Sequence, residues 1–79
     1  MGKPSEEDRV EILKVRMKGM PADPDIRYEE IAKQLEGFSG AQLRLVCTDA
    51  AYTAMNDEEN HEQTIKQRHF LQVIQSQSR

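Results

Sequence analysis

Cysteine, tryptophan and clustered basic charge are what this sequence is short of. Its 79 residues include one Cys, no Trp, two Phe and two Tyr. A single thiol excludes a disulfide framework and a multi-cysteine metal site, and fits a reducing compartment. The two histidines, His61 and His69, lack a clear third ligand, so both read as surface residues and no metal site is expected. Eleven Lys and Arg against 14 Asp and Glu leave a net charge of −3. A nucleic-acid module needs a basic face to displace counterions and aromatic platforms for bases, so nucleic acid is not an expected partner. No apolar run approaches the ~20 residues of a membrane span, and no signal-peptide pattern opens the chain, so no membrane is expected either. Phosphate-binding G-x-x-x-x-G-K-[ST] and nucleophile-elbow G-x-S-x-G patterns are both missing; in Gly37-Phe38-Ser39-Gly40 the second Gly comes too early. Adjacent acids such as Glu29-Glu30 and Glu58-Glu59 diverge on a helix and form no acid–base pair. No catalytic residue is expected.

What is present is helical. A chain this short makes one domain with one modest core, burying roughly 60% of its extended surface, with stability on the order of 3–5 kcal/mol. Its organising stretch is Gly37-Phe38-Ser39-Gly40-Ala41-Gln42-Leu43 and the apolar run behind it to Met55. Ser39 with Gln42 three residues on is a capping box. Gly37 suits the left-handed end of a preceding helix, and Phe38 anchors the corner. Leu43, Val46, Ala50 and Ala54 make one stripe at helical spacing; Leu45, Tyr52 and Met55 make a second. Two stripes predict a central helix buried on more than one side. Cys47 lies among these residues and reads as a small buried hydrophobe.

The remaining elements frame that helix. Ser5 caps a first helix with Glu6, Glu7 and Asp8 in its opening turn, where the dipole favours acids. Its apolar rows are Val10-Leu13-Met17-Met20 and Ile12-Val15, and Gly19 lies near its stop. Pro21-Ala22-Asp23-Pro24-Asp25 cannot continue a helix and forms a loop plugged into the core by Ile26. A short second helix spans about Tyr28 to Glu36, with Ile31, Ala32 and Leu35 inward. Asn56-Asp57-Glu58-Glu59-Asn60 reads as a helix end and solvated loop. Thr64-Ile65 reads as a short extended piece. A last helix runs from about Gln67 to Gln75 with Phe70, Val73 and Ile74 on one side. The expected fold is all-α, a compact four-helix bundle. Residues 1–3 form an unstructured start, 4–75 the helical domain and 76–79 a flexible tail.

Several of these segments together resemble a known family. Pro4 to Leu13, Met20, Ile31-Ala32, Gly37 to Leu43, Val46-Cys47, Ala50-Ala51, Ile65 and Phe70 are similar to the C-terminal helical lid of AAA ATPases, and G-F-S-G-A-x-L followed by V-C-x-x-A carries most of the likeness. Within that family the pattern most resembles an ATPase of the proteasome regulatory particle; related segregase-type unfoldases are similar too.

The resemblance implies a lid that follows a P-loop domain and closes over the adenine and ribose of ATP, with the backbone at Gly40 and Ala41 near the nucleotide. The family usually has His at the position of Arg16, and Arg16 is implied as its replacement there. A hydrophobic-Tyr-any C-terminus is absent, since the chain ends Gln77-Ser78-Arg79. No cofactor is expected in the chain itself; ATP is expected in the parent ATPase. Implied partners are neighbouring ATPase subunits of a hetero-hexameric ring, the proteasome core particle and assembly chaperones, in cytoplasm and nucleus. The alternative is an independent four-helix interaction module. A lid presses on other domains, so the Ile12-Val15 row, with Met17 and Met20, is expected to leave an exposed apolar patch rimmed by Glu6, Glu7, Lys14 and Lys18.

Overall fold

Side-chain caps mark where the first and third helices begin. In the computed structural model, which describes residues 3–77, Ser5 Oγ accepts the Asp8 backbone N–H and starts α1, Glu6–Met17. The Ser39–Gln42 capping box forms in both directions. Ser39 Oγ accepts the Gln42 N–H at 3.2 Å, and Gln42 Oε1 accepts the Ser39 N–H at 2.8 Å. This starts α3, Gly40–Met55. Between them α2 runs over Tyr28–Gln34 and ends before Gly37, whose φ of +89° is the left-handed turn the corner requires. The last helix, α4, covers Gln67–Gln77. It therefore continues past Gln75, and Ser76 and Gln77 are helical rather than tail; Ser78 and Arg79, like Met1 and Gly2, lie outside the described residues.

The described residues form an all-helical bundle with one isolated bridge. Helix α3 packs on α1 and α4, α1 on α2, and α2 on α4. The core gathers Leu13 and Met17 of α1, Ile31 and Ala32 of α2, Leu35 and Ile26, the Leu43-Val46-Ala50-Ala54 stripe with Cys47, and Phe70, Val73 and Ile74 of α4. Phe38 is half-buried against it. The expected extended piece at Thr64-Ile65 is a parallel bridge between Ile65 and Ala22 of the proline loop. Ile65 N–H donates to Pro21 O at 2.7 Å, and Asp23 N–H to Ile65 O at 2.8 Å.

Four expectations need correction. The second α3 stripe is not core: Leu45, Tyr52 and Met55 are 54%, 69% and 73% exposed. A domain this small has one core, and the Leu43 stripe takes all of it. Met17 is buried, so only Val15, Met20 and part of Ile12 remain of the apolar surface expected on α1. His69 is buried rather than on the surface. Its Nδ1 accepts the Lys66 backbone N–H at 2.9 Å, which leaves Nε2–H to donate to Asp57 at 2.9 Å. His69 thus does at the start of α4 what Gln42 does at the start of α3. Asn60 is buried too, although Asn56, Glu58 and Glu59 of the same run are exposed.

Arg9 is the remaining buried polar side chain of note. Its Nε–H donates to Ala32 O at 2.8 Å and an Nη1–H to Pro4 O at 3.1 Å. Ala32 lies in the last turn of α2, where its carbonyl accepts the Leu35 N–H at 3.1 Å as well as the guanidinium and the dipole favours a cation, so a guanidinium can be buried there without a carboxylate.

Candidate functional site

The start of α3 and the outer face of α1 enclose a groove of about 420 Å³. Its lining is Glu11, Ile12, Val15 and Arg16 from α1 and Gly40, Ala41 and Arg44 from α3. The three residues singled out from the sequence, Arg16, Gly40 and Ala41, are therefore brought to one place. Ile12 and Val15 supply an apolar floor, and the two guanidiniums, Arg16 and Arg44, come from different helices. Neither arginine makes an ion pair among the described residues.

The local backbone explains what the groove offers. Gln42 and Leu43 spend their amide hydrogens on Ser39, on its hydroxyl and its carbonyl respectively. The amides of Gly40 and Ala41, at the very start of the helix, keep no partner among the described residues. They point where the helix dipole is positive. A Cβ on Gly40 would meet nothing within 4 Å, so no neighbour inside the bundle demands glycine there. The space it leaves belongs to the groove. Amide donors, an apolar floor and unpaired cations suit a ligand that is flat and apolar in one part and anionic in another.

Against known proteins, residues 25–72 match the family described as the AAA+ lid domain. The chain belongs to that family. The human "ATPase family gene 2 protein homolog B" is 41% identical to this lid over 73 residues, 92% of this chain and 10% of that protein. A rabbit katanin-like protein, of the p60 ATPase-containing type, is 46% identical over 52 residues, 66% of this chain and 11% of that protein. The lid thus spans about a tenth of the length of the curated relatives it matches. These relatives support an AAA ATPase lid and give no support to a proteasomal ATPase in particular.

Sequence reasoning missed Arg44 and Glu11 as groove residues. The signal was available for Arg44: it follows Gly40 by one helical turn and so shares its face. Cys47 stays outside the groove's chemistry. Burial pushes its thiol up to about 11, against a smaller opposing effect of the Arg16 charge, so it is an inert core residue. Tyr28, beside it, is likewise raised, first by burial and then by Cys47.

Proposed function

We propose that this chain is the lid of a segregase-type AAA unfoldase and that its groove closes over ATP held by a P-loop domain. The observation that carries the reading is the convergence of Arg16, Gly40 and Ala41 on one groove. Gly40 and Ala41 would donate their free amides to polar atoms of the nucleotide. Ile12 and Val15 would cover its apolar faces and exclude water. Arg16, and with it Arg44, would stack on the purine or meet the phosphates. ATP would supply the energy of hydrolysis, and the lid's part is mechanical: it relays nucleotide state to the rest of a ring. The segregase type is preferred over the proteasomal regulatory particle because neither relative named above carries a proteasomal name.

The test is titration of the ¹⁵N-labelled chain with Mg-ATP, followed by amide chemical shifts. Alone, the lid holds only one wall of the pocket, so a dissociation constant no better than about 1 mM is expected. The shifts should fall on Val15, Arg16, Gly40, Ala41 and Arg44. Shifts confined to Glu59–Arg68, or none at saturating nucleotide, would overturn the assignment of this face. Micromolar affinity would show a self-sufficient nucleotide site and sink the lid mechanism.

A further inference from the structure

A second depression, of about 400 Å³, lies on the other side of Val15. Its walls are Val15, Met17 and Tyr28, and Lys14 and Lys18 stand on its rim. Val15 lines both depressions and is 62% exposed, so it forms a ridge between them. Lys14 lies in the last turn of α1 and Lys18 is the residue that caps its end, and both border the same depression. Lys18 makes no ion pair among the described residues. Lys14 has only Glu29, at 4.0 Å with both side chains more than half exposed, a pairing too loose and too solvated to hold the lysine in place. The next acid on α2, Glu30, is engaged with Arg27 at 3.1 Å. Two available cations thus flank an exposed valine on a chain whose net charge is −3.

We propose that this face docks an acidic segment of a partner protein. One apolar side chain of that segment lies in the Val15–Met17–Tyr28 depression, and flanking carboxylates meet Lys14 and Lys18. Charge complementarity selects the occupant. An apolar partner alone would bury the valine but strand two ammonium groups, whereas an acid on each side satisfies both. Of the lining residues the surface shares only Val15 with the nucleotide groove, and the proposal does not depend on the nucleotide reading. Its charged rim chooses the partner and sets the salt dependence, while the apolar contact holds it.

The probe is a short synthetic peptide with glutamates around a central Leu, titrated into the ¹⁵N-labelled chain. Shifts are expected at Lys14, Val15, Lys18 and Tyr28, weakening as salt rises. Reversal of both lysines (K14E with K18E) should lower affinity at least about tenfold, with the helical circular dichroism signal unchanged. Glu29→Gln removes the competing carboxylate and should tighten binding. Four outcomes would overturn the proposal. The same peptide with Ser in place of Leu could bind equally well, which reduces the site to diffuse charge. The shifts could fall on Gly40 and Ala41 instead. A duplex oligonucleotide could bind the same residues as strongly. The labelled chain could show concentration-dependent shifts there without peptide, which makes the occupant the Glu6-Glu7-Asp8 turn of a second copy.

Discussion

Asn60 fastens the connection between α3 and α4 with a single amide group. Its side-chain N–H groups donate to Ala54 O at 3.2 Å and to Thr64 O at 2.8 Å. One acceptor is at the end of α3, the other just before the bridge at Ile65. The side-chain oxygen, by contrast, is buried with no partner among the described residues. Asn60→Ala removes one buried and one partly buried hydrogen bond together with one unsatisfied acceptor, so a loss of about 1–2 kcal/mol is expected. Asn60→Asp should cost more, because a carboxylate would face two carbonyl oxygens with nothing to donate. Urea midpoints of the two variants should therefore fall in that order below the parent; equal midpoints for all three would remove the structural role. Neither Asn60 nor Arg9 nor His69 could be read as buried from the sequence. Each bonds backbone groups at a helix end or in a loop, and which groups come within its reach depends on how the loops return. A polar residue in an acidic run looks solvated until the fold shows which carbonyls need it.

At the scale of the element, the helix starts were written into the sequence more plainly than the helix faces. Ser39 and Gln42 announced α3, Ser5 announced α1, and the two prolines excluded helix from the intervening loop, because these effects need only near neighbours. The Leu43-Val46-Ala50-Ala54 stripe was legible for the same reason. Leu45, Tyr52 and Met55 were misread because helical periodicity says that residues share a face, and the number of neighbouring elements decides whether that face is covered. The groove was half legible. Gly40 and Ala41 were implied by a motif and Arg16 by its position, yet Arg44 and the floor needed the packing of α1 on α3. Ser39→Ala tests the cap directly. It leaves the Gln42 amide without its acceptor, and about 1 kcal/mol should be lost. Because the Gln42 side chain bonds the Ser39 backbone N–H, the double change Ser39→Ala with Gln42→Ala should equal the sum of the two single changes only if the halves act independently. A marked shortfall in the chemical-denaturation midpoints would show that they form one unit.

For the whole molecule, acid is the condition that bears hardest on the loops. Asp57 is held below the ordinary carboxylate range, first by the His69 hydrogen bond, then by the Glu59 amide and the Arg68 charge, with partial burial opposing. Asp23 is lowered chiefly by the Asp25 amide, and also by Lys66. In both cases the folded chain prefers the ionised form. Their contribution is therefore complete above the ordinary aspartate value of about 3.9 and is lost as pH falls through that value toward the lower folded one. Thermal midpoints should be level between about pH 7 and pH 5 as far as these groups are concerned, then drop below about pH 4. Asp57→Asn should make that acid drop shallower, and an unchanged acid slope would show that the loop carboxylates do not set it.

The bridge between Ala22 and Ile65 gives the bundle a mechanical shortcut. Helices α1 and α4 do not pack on each other, yet the loop that leaves α1 and the loop that enters α4 are joined by two peptide hydrogen bonds and the Lys66–Asp23 ion pair at 3.4 Å. The α1 side of the domain, where the groove and the lysine rim both lie, is thus tied to the base of α4 twice, once through α3, on which both helices pack, and once across this seam. Like a stitch closing the open side of a fold, the seam keeps the exit of α1 and the entry of α4 from parting unless both peptide hydrogen bonds break together.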